Sequence, residues 1–341
     1  MTKLNLTLAA LIALCGSITA AQAQQVPFDR LSADKLDVTP PSDRVTGDPG
    51  RMRVVASPCR TLPTVQTRQR IVDVAVQEWA FFGFPIDEQT VDRNDGFRGG
   101  RRRFRGDPNE AMRVASSIGG YWGATSDGSW IVERQNDSWN GSSGVTSRWR
   151  DPWSAAFISW VMCEGGLGET GQFRRAIAHH TYIDQAIRAR DGNASDAAFV
   201  AYDTGEVQIE PGDMLCSARR PGYRSIAERR RQMGEGARTH CDIVVKVDSD
   251  AGRIMAIGGN VGGRVSLKVF PATVEDNVVA PAGQLSRPLF AHLKLRADAV
   301  DDQALDWSPT MRAMGCSVDT RTPNQVTAMN LMSTPRTVNY C

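Results

Sequence analysis

Residues 151–166 read DPWSAAFISWVMCEGG, and this stretch decides the fold. Pro152 suits the opening of a helix because its missing N–H is not needed there. The pattern predicts a helix over Trp153 to Cys163, closed by Gly165-Gly166. On its N-terminal side, residues 68–82 (RQRIVDVAVQEWAFF) place Ile71, Val74, Ala75, Trp79 and Phe82 at helical spacing, and Gly83 and Pro85 end that helix. Asp107-Pro108-Asn109-Glu110 combines a capping Asp, a first-turn Pro and a third-position Glu, which predicts a helix running to about Ile118. Residues 119–151 are rich in Gly, Ser and Asn and carry Trp122, Trp130, Trp139 and Trp149. These tryptophans either stack on sugar rings or plug the core beneath a long loop.

On the C-terminal side a helix is expected over about Phe173 to Arg190, stopping before Gly192. From there the texture turns to strands: Phe199–Tyr202, Met214–Ala218, Ile243–Val247, Ile254–Ile257, Val265–Phe270 and Phe290–Leu295. Pro211-Gly-Asp213 and Asp248–Gly252 read as turns, and Gly258-Gly259-Asn260 as a tight glycine turn. Helices come first and a meandering antiparallel sheet follows, so the class is α+β.

The ends bear on compartment. Lys3, the apolar run Leu4 to Cys15 and the small-x-small Ala21-Gln22-Ala23 read as a secretory signal peptide over residues 1–23, cut after Ala23. Leu14 before Cys15 argues against lipid attachment there. The expected location is periplasmic or secreted. No stretch reaches the roughly 20 apolar residues of a spanning helix. Residues 24–66, polar and rich in Pro, Asp and Arg, read as a loosely ordered leader; 67–296 form the main domain, and 297–341 a C-terminal extension.

Removing Lys3 from 40 basic residues leaves 39 against 38 acidic ones, a balance that gives no global attraction to nucleic acid or an anionic membrane. The basic run Arg98–Arg105 is either a solvated loop or a grip on phosphates or acidic glycans. Arg229-Arg230-Arg231, expected in a loop before His240, is either solvated or a clamp on a carboxylate. Without Cys15, six of the seven cysteines remain, an even number that favours disulfides in an exported chain. Cys216 and Cys241 lie in strands that could pair. Cys316–Cys341 is the next pairing, leaving Cys59 with Cys163. No cysteines show zinc-finger spacing, so neither metal nor other cofactor is expected. Nothing in the sequence sets the oligomeric state.

Chemistry concentrates at three places. Ser154 sits in the first turn of its helix, where free N–H groups favour developing negative charge. His240, in THCDIVV (239–245), opens a buried strand, and Asn260 ends the next one. If those strands form a hairpin, His240 and Asn260 lie near each other at its open end.

These residues carry a resemblance to the bacterial family catalogued as domain of unknown function 2272, a relative of the NlpC-type and CHAP-type papain-like hydrolases. Its markers, between Arg68 and Leu295, are Glu78-Trp79 with Phe82-Gly83, Pro152–Met162, His179-x-x-Tyr182-Ile183, Pro211-Gly-Asp213, His240–Val244 and Ile257–Asn260. The resemblance implies papain-like helices packed on an antiparallel sheet or small half-barrel. It also implies a nucleophile at the helix start, a histidine base on a strand and a polar orienter on the next. Carried over, these fall on Ser154, His240 and Asn260. Here Ser stands where the superfamily has Cys. A serine hydroxyl is not ionised at a helix N-terminus, so its proton must leave in the transition state to a well-aligned base, with an oxyanion hole present. Cys163 lies about 13 Å along the same helix, and Cys241 points to the sheet face opposite His240, so neither replaces the missing thiol.

Trp153, His179, Tyr182 and Asp242 are the candidate substrate-binding residues. His179 and Tyr182 share a helix face at i, i+3, either as a cleft wall or proton donor, or as a polar face packed near tryptophans. Asp242 ranks below Asn260 as orienter because residues two apart lie about 6.5–7 Å apart along a strand. Asp213 is read as stabilising its turn, and His292 as structural. Two functions stay open: an amidase or peptidase acting on peptidoglycan or other peptide amide bonds, or an inactive relative that binds cell-wall glycan or peptide in the same cleft.

Overall fold

The computed structural model describes residues 28–89, 108–142, 144–145, 147–276, 278–283, 285 and 287–315. The signal segment, the Arg98–Arg105 run and the Cys316–Cys341 pair lie outside them.

A short 3-10 helix (Pro41–Arg44) is followed by β1 (Val45–Thr46), β2 (Arg53–Val54), α1 (Thr64–Phe81) and β3 (Ile86–Glu88). Next come α2 (Pro108–Gly123), α3 (Gly128–Asn140), α4 (Ser154–Glu164), α5 (His180–Arg190), β4 (Phe199–Tyr202), β5 (Met214–Arg220) and α6 (Ile226–Arg230). The hairpin strands β6 (Arg238–Asp248) and β7 (Arg253–Val261) lead to β8 (Arg264–Glu275), β9 (Val278–Pro281), β10 (Leu289–Leu295), α7 (Ala304–Trp307) and α8 (Pro309–Met314). The large sheet runs β3-β8-β7-β6-β5-β10-β4, with β9 on β8. Its pairs are antiparallel except β3 with β8. The α+β class therefore holds.

Alternation explains how both sheet faces become buried. Met214, Cys216, Ile243, Val245, Met255, Ile257, Leu267 and Val269 join the core shared with α1 and α4. Leu215, Val244, Val247, Ile254, Ala256 and Phe270 form a second core. Two-residue periodicity sends neighbours to opposite faces, and burial on both makes the strands read as apolar runs. Helix α4 is buried along its whole length, and each large apolar side chain it hides contributes about 1.5–3 kcal/mol. A glycine sets how closely it approaches the sheet: a Cβ on Gly259 would stand 2.6 Å from Phe157 Cβ.

Several expectations need correction. The Trp-rich stretch is not a long loop. Helix α2 continues to Gly123, and α3 buries Ile131, Val132 and Trp139. Trp122 and Trp139 plug the core, and only Trp130 of the four is exposed. The helix expected from Phe173 starts only at His180, because the buried Ser159 hydroxyl donates to Ala176 O and accepts from Ala176 N, binding the backbone groups that a helix there would use. Gly258-Gly259-Asn260 lies within β7, and the turn falls at Gly262-Gly263.

Nor is the described part of the leader loose. Leu36, Val38, Val45 and Met52 are buried in the main core, and Arg44 is buried against Glu164 at 2.7 Å. Arg30, Asp37, Arg44 and Arg60, among the residues that suggested solvation, are partners in ion pairs. Beyond residue 296, Ala304, Leu305 and Met311 join the same core. Among the described residues two disulfides are present, Cys59–Cys163 and Cys216–Cys241, both among the expected pairings.

Candidate functional site

Ser154 is the first residue of α4, and Trp153 is its N-cap. Ser154 is 8% exposed, and its Oγ lies 2.7 Å from His179 Nε2. His179 precedes α5 and is held from its other nitrogen: Nδ1 contacts the Tyr182 hydroxyl and accepts from Cys241 N at 3.3 Å. The Cys241 amide is free for this because of strand geometry. Cys216 and Cys241 stand directly opposite with Cα atoms 4.1 Å apart, the close spacing of a non-hydrogen-bonded antiparallel pair, so each backbone N–H points away from the partner strand. The β6–β7 pairing begins only at Ile243 and Ile257. Beyond it the two strands part, and the His179 ring meets the exposed edge of β6.

The His240 ring centroid is 5.2 Å from that of His179. His240 Nε2 bonds Asp242 Oδ1 at 2.9 Å, and Asp242 Oδ2 accepts from Lys268 Nζ of β8 at 2.7 Å. The carboxylate thus bridges an imidazole on its own strand and an ammonium two strands away, with β7 between them. The crossing needs a glycine: a Cβ on Gly258 would stand 1.9 Å from Asp242 Oδ1 and 3.1 Å from His240 Nε2.

Burial sets the charge states. It pushes His179 well below its ordinary value, the neighbouring His240 adds to this, and Asp242 opposes it. Burial also lowers His240, with Asp242 opposing and Lys268 reinforcing. Burial alone would raise Asp242, but His240 and Lys268 outweigh it and hold the carboxyl well below the usual range. Tyr182 is raised well above its ordinary value by burial and then by the charge on Asp242, so it stays a phenol. Both imidazoles are neutral at pH 7 beside an ionised carboxylate. Because a backbone N–H only donates, the Cys241 amide favours the His179 tautomer with the proton on Nε2, directed at Ser154 Oγ.

Several of the expected placements change. The hydroxyl of Ser154 meets His179, not His240. The residue bonded to His240 is Asp242, not Asn260: side-chain reach closes the distance that Cα spacing along a strand leaves open. Asn260 instead takes a left-handed backbone (φ 57°) where the β7–β8 register shifts, a conformation that Asn tolerates better than most residues. Trp153 is no cleft wall. Its ring is buried and stacks on Phe82 and Tyr121 at 5.9 and 5.7 Å. Tyr182 and Asp242 are likewise buried, behind the two histidines rather than facing a substrate. Of the arginine run, Arg229 is fully buried in α6 and bidentate to Asp184, and Arg230 pairs with Asp191. Asp213 does more than close a turn: it joins Arg68 and the buried His292 at 2.7 and 2.8 Å. Lys268 was missed by sequence reasoning, since a lone Lys in an apolar strand carries no motif; its inward register with Asp242 is its one signature.

Among the described residues, no cluster of three or more His, Cys, Asp or Glu could hold a metal ion, and no helix is long and apolar enough to cross a membrane. No curated protein and no solved structure matches the chain. A family model does, over residues 109–313, more than half of the 341. That span contains Ser154, His179, His240, Asp242 and Lys268, though it begins after the Glu78-Trp79 and Phe82-Gly83 markers. The chain belongs to the bacterial family described as an uncharacterized protein conserved in bacteria, domain of unknown function 2272.

Proposed function

We propose that this is an exported hydrolase of amide bonds with a papain-like arrangement, in which Ser154 is the nucleophile and His240 the base. The observation that carries the reading is the His240 Nε2–Asp242 Oδ1 hydrogen bond beside the Ser154–His179 pair. Donation from Nε2 to the carboxylate leaves the lone pair on His240 Nδ1, the state a general base needs. His179 Nε2–H then fixes the Ser154 oxygen without taking its proton. Ser154 Oγ attacks the carbonyl carbon as its proton passes to His240 Nδ1. The N–H groups at the start of α4 receive the developing oxyanion. His240 returns the proton to the leaving amine, and water releases the acyl group by the reverse sequence. The stem peptides of peptidoglycan are the proposed substrate, in keeping with a signal peptide over residues 1–23 and two disulfides.

A second reading, a cleft that binds cell-wall peptide or glycan without cleaving it, is favoured by one contact. The Cys241 amide on His179 Nδ1 disfavours the tautomer in which His179 itself could deprotonate Ser154. Turnover of purified peptidoglycan fragments separates the two. The hydrolase reading expects cleavage by the wild type and a loss of at least about 1000-fold in Ser154→Ala. Retained turnover in that variant removes the mechanism. Saturable binding without cleavage by the wild type supports the second reading instead.

A further inference from the structure

Lys268 belongs to none of the roles described so far. It projects from β8, and Ala256 of β7 separates it from Val244 of β6 in the sheet register. Its ammonium reaches back across β7 to Asp242, over the space that Gly258 leaves. Lys268 and Asp242 are both largely shielded, with side-chain exposures of 12% and 2%. A carboxylate that bonds only an imidazole stabilises the imidazolium, which holds a proton and cannot act as a base. A carboxylate shared with an ammonium is neutral as a pair. It still orients the ring through its hydrogen bond but attracts the extra proton far less.

We propose that Lys268 is a positioning residue that neutralises Asp242 and so keeps His240 as a free imidazole at neutral pH. This rests on the reading of His240 as the base. The charged and titratable groups acting on His240 are Asp242 on its own strand, Lys268 on β8, Arg287 before β10 and the neighbouring His179. Lys268 hydrogen-bonds the carboxylate that His240 also binds. Its burial beside Asp242 also has an electrostatic reason, since each charge is compensated where water is largely excluded.

The test follows the His240 imidazole by long-range proton–nitrogen NMR across pH in the full chain, with no substrate present. Only four histidines occur in the sequence, which makes assignment by single His→Gln variants direct. The expected result is a titration midpoint for His240 that rises by about one unit or more in Lys268→Met and returns close to the wild-type value in Lys268→Arg. An unchanged midpoint in folded Lys268→Met overturns the proposal. If that variant does not fold, the Asp242 carboxyl carbon decides in the wild type. It is expected to stay ionised well below the ordinary carboxylate range, and titration within that range overturns the proposal. The hydrolase reading is judged separately. In an active protein the acid limb of the kcat/KM profile moves upward with the His240 midpoint in Lys268→Met. If the midpoint moves but Ser154→Ala leaves turnover intact, the electrostatic role stands and the catalytic one fails.

Discussion

Gly258 shows what a single residue decides. Its φ is not in the left-handed region, so no turn requires a glycine there; the requirement is space. The Asp242 carboxylate occupies the position a side chain would take, and both the His240 and Lys268 contacts pass over the same point. Gly258→Ala is expected to displace Asp242, cost about 1–3 kcal/mol in denaturant unfolding and disturb its bonds to His240 and Lys268, visible as a changed His240 nitrogen shift. An alanine variant with wild-type stability and an unchanged shift would mean that the carboxylate does not lie there. At this scale the sequence was partly legible. Ser154, His179, Tyr182, His240 and Asp242 were singled out by motif, and His179 does meet Tyr182 as its i, i+3 spacing suggests, but the pairings of Ser154 with His179 and of His240 with Asp242 were not. A strand pattern gives which face a side chain takes, not how far it reaches. That is why Asp242 displaced Asn260 as partner of His240. Trp153 looked available for stacking because nothing in its neighbourhood reveals that Phe82 and Tyr121 cover it.

Among the elements, α1 combines an apolar face with buried charge. Its Glu78 receives Arg30 and the Tyr121 hydroxyl, and its Arg68 reaches Asp213. Asp73 differs because, among the described residues, its side-chain hydrogen bond comes from the neutral Gln69 and not from a cation. Burial pushes its carboxyl up to about 6, against the Gln69 hydrogen bond and the charges of Arg70 and Arg312. The ordinary value is 3.8, so between the two the folded protein binds more protons than the unfolded chain. Stability therefore falls as pH rises through that window, and the penalty is complete above it. Asp73→Asn is expected to stabilise the protein at pH 8 by about 2 kcal/mol and to have no stabilising effect below about pH 4, as read from urea midpoints at both pH values. An equal effect at both would show that the carboxyl is not titrating in the fold. Helices α1 and α4 and most strands were legible because their apolar periodicity is regular. Helix α3 was hidden by a composition rich in Ser, Asn and Trp, although its few apolar positions are the buried ones.

For the whole molecule, the polar N-terminal segment was the least legible part. Residues 28–63 have almost no regular structure, and what fixes them is distant. Arg44 and Arg60 converge on Glu164, and Cys59 is joined to Cys163, 104 residues away. Both partners end α4, the helix that begins with Ser154. The same helix therefore anchors the N-terminal segment at one end and presents the candidate nucleophile at the other. The sheet brings the His240 ring to 5.2 Å from that of His179, which bonds Ser154 at that presenting end. Nothing in local periodicity reports contacts of this range, so only the class of fold, and not the tethering of its ends, followed from pattern. The arrangement makes one claim that a single reaction can examine: that the Ser154 hydroxyl is activated. Purified protein treated with a fluorophosphonate and mapped by peptide mass spectrometry should carry one adduct, on Ser154, and none in Ser154→Ala. The absence of an adduct on folded wild-type protein, or one that persists in the alanine variant, would contradict the account.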